Sequence, residues 1–128
     1  MYSDKLIQLF TKPKNVGIIK NAQAIGEVGT PTDSDYIKMY ISVENDVVQD
    51  AKFKAFGNPV TIAFMSILTG MIKGQTMSQV YTVDGNTIVN YIGELPKGKE
   101  YLVPMINTLM ADLIKDYEKR LEKLNKDV

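Results

Sequence analysis

The sequence predicts an α+β fold: a three-stranded antiparallel sheet packed against helices, with a long C-terminal helix. Three observations carry that expectation. Residues 35–43 alternate strictly, with Ile37, Met39, Ile41 and Val43 on one face and Tyr36, Lys38, Tyr40 and Ser42 on the other, which is the period of a half-buried strand. Asn45-Asp46 then separates this run from a second one, Val47–Phe56, and both residue types tolerate the positive φ of a tight hairpin. Third, Met105, Leu109, Leu113, Tyr117, Leu121 and Leu124 fall on one stripe of a helix, the pattern of an amphipathic segment.

The remaining elements follow in chain order. Ser3 is placed to cap a short helix over residues 3–11, whose Leu6, Ile7, Leu9 and Phe10 have helical spacing. Pro13 and Gly17 break the chain into a loop, and residues 24–30 read as a glycine-containing edge strand. In the second hairpin strand Ala51, Phe53 and Ala55 face inward, while Asp50, Lys52 and Lys54 face outward. Asn58-Pro59 reads as N-cap and first residue of a helix that buries Ile62, Met65, Leu68 and Ile72 and closes at Gly74. Thr76 and Gln79 have capping-box spacing for a short helix, Asp84 caps another containing Ile88, Tyr91 and Ile92, and Pro104 opens the final one. Such an antiparallel meander needs a helical layer over its apolar face.

Composition narrows the function. The 128 residues, 45% of them hydrophobic, suit one domain spanning residues 1–128 with a core of its own. Fifteen basic and fifteen acidic residues cancel, so no nucleic-acid footprint is expected. No apolar run approaches the ~18 residues of a membrane span and no signal-peptide pattern opens the chain, so a cytoplasmic protein is expected. The chain contains no Cys and no His. That excludes disulfides, thiol nucleophiles and thiolate metal sites, and removes the usual neutral-pH acid/base and nitrogen ligand. An enzyme is not expected, nor a bound cofactor or metal.

The order of motifs resembles a known family. Tyr2, Phe10, Pro13 and Asn15-Val16-Gly17 are followed by Gly26-Glu27-Val28-Gly29, Pro31 and Asp35. Then come Ala51-Lys52-Phe53-Lys54-Ala55-Phe56-Gly57 and Leu95-Pro96 ahead of the long helix. In this order and spacing, over roughly residues 1 to 117, the chain resembles the IscU/NifU N-terminal family of iron–sulfur cluster assembly scaffolds. The resemblance implies the same α+β fold. It also implies a cluster site of three cysteines and an aspartate converging from three loops. Here the positions matching those ligands are Asp33, Asp35, Asn58 and Leu102: the aspartate survives as Asp35, and the three thiols do not. The neighbours changed too, with Ser34, Pro59 and Tyr101 where the family has Gly, Gly and His. Clusters are held by soft thiolates, and neither the amide of Asn58 nor the alkyl group of Leu102 replaces one. The family's Leu-Pro-Pro-x-Lys loop appears as Leu95-Pro96-Lys97-Gly98-Lys99, which gives up some of the stiffness of an extended chain.

The expected activity is therefore binding. By resemblance the partners are a cysteine desulfurase or a cysteine-containing scaffold, with Tyr2, Lys97 and Lys99 as docking residues and the chain as regulator or competitor in cluster assembly. The alternative is a small ligand or hard metal in a remodelled pocket of Asp33, Asp35, Asn58 and Tyr101. Against it, Asp33-Ser34-Asp35 reads equally as a solvated turn, and hard cations usually need more oxygens than these residues supply. Met65, Met105 and Met110 read as core filling. The charged run Lys115–Asp127, with Asp116 and Arg120 at i, i+4, reads as a solvated helix face. Gly26-Glu27-Val28-Gly29 lacks the spacing of a phosphate loop.

Overall fold

The computed structural model describes residues 2–30, 32 and 34–126. Its elements are α1 (Asp4–Thr11), β1 (Ala24–Val28), β2 (Tyr36–Glu44), β3 (Val47–Phe56), α2 (Pro59–Ile72), α3 (Met77–Val80), α4 (Gly85–Ile92) and α5 (Leu102–Lys126). The sheet has the order β1-β2-β3 and is antiparallel throughout, with Gly26 opposite Met39 and Met39 opposite Phe53. Asn45 and Asp46 adopt φ of 54° and 63°, so the β2–β3 hairpin turns through two left-handed residues, whose twist matches that of the strands. The register shifts beyond Ser42, which faces Asp50 while Val43 faces Val48. Gln49 is thus the extra residue of a bulge, and this lets Val48 and Ala51 both point into the core although three positions apart.

Ile37, Met39, Ile41, Ala51 and Phe53 join Phe64, Leu68, Ile106, Leu109 and Leu113 in one buried cluster. α2 covers β3 and α5 covers β1. α5 approaches closely because Gly26 has no side chain: a Cβ there would lie 2.9 Å from both the Leu109 carbonyl oxygen and Leu113 Cβ. The outer face of the sheet is less exposed than strict alternation suggests. Tyr36 and Tyr40 are both buried. Tyr36 stacks on Phe56 of the neighbouring strand at 5.9 Å and donates its hydroxyl to Glu27 of β1, so cross-strand neighbours do the covering. The free side of β3 is bridged by the N-terminal loop, where Phe53 donates to the Asn15 carbonyl at 3.0 Å and accepts from Gly17 at 2.8 Å.

Two sequence expectations change. α5 begins at Leu102 rather than Pro104, because a proline in the first helical turn has no intrahelical N–H bond to lose. Its apolar stripe also outruns the core, since Leu121 and Leu124 are 42% and 62% exposed. Among the described residues no helix is long and apolar enough to cross a membrane.

Candidate functional site

Three chain breaks meet at one end of the sheet: the entry to β2, the β3–α2 junction and the entry to α5. Each contributes a polar side chain. Asp35 stands just before β2. Asn58 caps α2, its Oδ1 accepting the N–H groups of Val60 at 2.9 Å and Thr61 at 3.3 Å, as an N-cap asparagine does. Thr61 lies one turn on, fully buried, and Tyr101 immediately precedes α5.

These four side chains close a ring of hydrogen bonds. Thr61 Oγ1 donates to Asp35 Oδ1 at 2.8 Å, and Tyr101 Oη donates to Asp35 Oδ2 at 2.7 Å. The Asn58 amide donates back to both hydroxyls, at 2.7 Å to Tyr101 Oη and 3.1 Å to Thr61 Oγ1. Both carboxylate oxygens and both amide protons are engaged. Gly57 makes this possible, because a Cβ at that position would collide with Asp35 Oδ1. Partial desolvation, and then the hydrogen bond to the Asp35 carboxylate, raise the Tyr101 pKa above its ordinary value. Both effects keep its hydroxyl a proton donor.

The sequence-predicted residues are thus partly brought together. Asp35, Asn58 and Tyr101 form the ring. Asp33 lies outside the described residues. Leu102 points the other way, fully buried in the core beside Ile106, where an apolar side chain of its size contributes about 1.5–3 kcal/mol. Tyr2 is 37% exposed and meets Phe10 edge-to-face at 5.4 Å. Lys97 and Lys99 sit in a tight turn, not an extended loop: Lys99 N–H bonds to the Pro96 carbonyl at 3.0 Å, with Gly98 at φ 82°. Thr61 escaped the sequence reading. Its only signal was its place three residues after an N-cap asparagine, a capping-box position.

This donor set does not fit an iron–sulfur cluster. It offers a carboxylate with both oxygens already accepting hydrogen bonds, a neutral amide and a phenol, whereas a cluster requires thiolates. Among the described residues no three His, Cys, Asp or Glu side chains are grouped to hold a metal ion.

The fold and the motif order are matched by known proteins. The family model for the NifU-like N terminal domain matches residues 1–124. The chain belongs to that family. It is 34% identical over 126 residues to iron–sulfur cluster assembly scaffold protein IscU 1 of Archaeoglobus fulgidus, a match covering 98% of this chain and 82% of that one. It is 33% identical over 130 residues to the scaffold protein IscU of Aquifex aeolicus, covering 98% and 83%. Among solved structures, the N-terminal part of a nitrogen-fixing NifU-like protein from Brucella abortus superimposes with a TM-score of 0.65 at 16% identity, covering 91% of this chain and 94% of that one. Within the NifU-like family, then, this chain is a cysteine-free member. It keeps the fold, and a self-satisfied polar ring involving Asp35 and Asn58 occupies the region where the resemblance puts cluster ligands.

Proposed function

We propose that the chain works by protein binding within iron–sulfur cluster assembly, as a non-catalytic, cytoplasmic, single-domain regulator or competitor that does not carry a cluster itself. Its partner is a cysteine desulfurase or a cysteine-containing scaffold. The observation that carries this reading is the closed ring: Asp35, the one ligand-position carboxylate among the described residues, has both oxygens engaged by Thr61 and Tyr101. A family fold without its thiolates retains shape and surface anchors, and a few anchors dominate protein–protein affinity. Tyr2, an exposed aromatic beside Phe10, and the lysines of the 96–99 turn are those anchors.

Calorimetric titration against the desulfurase and the scaffold of the same organism tests the proposal. Saturable binding is expected to one of them. Tyr2→Ala should weaken it about tenfold, the loss of one hot-spot residue, while Asp33→Ala should change it little. Absence of heat at protein concentrations of tens of micromolar (the order at which a transient complex registers) would refute the reading. Loss of a bound metal or small molecule on Asp33→Ala would replace it with a ligand pocket at Asp33, Asp35, Asn58 and Tyr101.

A further inference from the structure

We propose that a groove between α1, α2 and α4, away from the ring, receives an acidic, apolar-faced segment of another protein. Two adjoining hollows of about 600 and 360 Å³ make up the groove, and they share Leu9, Lys14 and Tyr91. One wall is α1 with the loop after it and the other is Tyr91 of α4, while Ile67, Gly70 and Met71 of α2 form the floor.

Charge identifies the occupant's sign. Among the described residues, Lys5, Lys12 and Lys14 line the groove and no acidic residue does, in a chain whose total charge is zero. Among the described residues none of the three makes an ion pair, the pairs being Lys73–Asp50, Arg120–Asp116 and Lys126–Glu122. Lys5 instead sits 4.2 Å over the Tyr91 ring. The apolar component is equally plain: Ile7 and Tyr91 are 43% and 53% exposed, and an exposed aromatic beside unpaired cations suits an acidic amphipathic segment.

Gly70 points to something outside the chain. It lies within α2, where glycine costs up to about 1 kcal/mol relative to alanine. Nothing among the described residues requires that cost, because a Cβ at Gly70 meets none of their atoms within 4 Å beyond its own helix backbone. A glycine on the groove floor leaves the α2 backbone open to close approach from solvent. The rim is also fixed in advance: Lys14 N–H bonds to Ser66 Oγ at 3.1 Å, and Asn15 Nδ2 bonds to Thr69 Oγ1 at 3.0 Å. A second copy's exposed α5 tail is a poor match. Over residues 115–126 it carries Lys115, Lys119, Arg120, Lys123 and Lys126 against Asp116, Glu118 and Glu122.

The test uses a fluorescein-labelled synthetic helical peptide with leucines on one face and glutamates on the other. Controls are its glutamate-to-lysine counterpart, polyglutamate, and vesicles of anionic phospholipid. Fluorescence anisotropy should saturate with the acidic amphipathic peptide alone. Gly70→Phe, filling the floor, should weaken it at least about tenfold, while Gly70→Ala retains binding and melts no lower than the parent, as expected for alanine in an open helical position. Lys12→Glu with Lys14→Glu should weaken it similarly and decides the matter even if Gly70→Phe fails to fold. Polyglutamate or vesicles binding as well as the peptide, the lysine counterpart binding equally, binding indifferent to both sets of substitutions, or no saturation would each overturn the proposal.

Discussion

Asp35, which the resemblance matches to the family's aspartate, accepts hydrogen bonds from Thr61 and Tyr101. In the ring it acts as an anchor for two hydroxyls, and the cost of breaking each contact depends on burial. Thr61 is fully buried, whereas Tyr101 is 41% exposed, so water replaces the Tyr101 hydroxyl readily and the Thr61 hydroxyl hardly at all. Thr61→Val should therefore destabilise the fold by about 1–3 kcal/mol, the range for a buried polar atom left unsatisfied, and Tyr101→Phe by about 0.5–1.5 kcal/mol. Urea denaturation of both variants checks the order, and a Tyr101→Phe loss exceeding that of Thr61→Val would contradict it. A second tyrosine gives a pH signature. The hydrogen bond to Glu27 and then burial push the Tyr36 pKa up to about 12. The fold thus favours neutral Tyr36, so its contribution is whole below the ordinary tyrosine pKa near 10 and is lost as pH rises toward about 12. Melting temperature should fall across that alkaline window, and the fall should be smaller in Tyr36→Phe.

At the scale of elements, α5 does more than cover the sheet. β1 is an edge strand, with β2 on one side only. Its outward N–H groups at Ile25 and Glu27 are taken by Asp116 Oδ2 at 2.7 Å and Asp112 Oδ2 at 2.8 Å. The match is geometric: four helical residues rise ~6 Å and two strand residues ~6.8 Å, so carboxylates at i and i+4 meet alternate strand amides. Arg120 completes the row, donating to the Ala22 carbonyl at 2.8 Å and to Asp116 at 3.1 Å. An uncovered edge is a template for pairing with another chain. Replacing both Asp112 and Asp116 with Ala should lower stability by about 1–3 kcal/mol and raise self-association in light scattering. A variant that stays monomeric with unchanged stability would show that the edge needs no such cover. The i, i+4 spacing of Asp116 and Arg120 was legible in the sequence, but their strand partners were not, because those contacts join residues about ninety positions apart. The same division runs through the fold. Alternation in β2, the Asn45-Asp46 turn and the caps Ser3, Asn58, Thr76 and Asp84 are local signals, and the elements form where they indicate. The buried Tyr36 and Tyr40, the exposed Leu121 and Leu124 and the role of Thr61 depend on which neighbours arrive, and periodicity carries no record of that.

For the whole molecule, the question is what replaces the free energy that a bound metal adds to a metal-dependent fold, about 10–16 kcal/mol for structural zinc. That is as large as the entire stability of a typical domain, so a chain that relied on it would unfold without metal. Here the ring joins the entries to β2, α2 and α5 through neutral hydrogen-bond donors. Leu102, at a position the resemblance gives to a ligand, sits fully buried in the same core as Ile106 and Leu109. Apolar burial and hydrogen bonds together tie down these three segments. Two outcomes follow. Adding a chelator should leave the melting temperature where it was, and incubation with iron and sulfide should leave no visible cluster absorbance after desalting. A drop of many degrees with chelator, or cluster absorbance that survives desalting, would mean that oxygen donors hold what the resemblance assigns to thiolates.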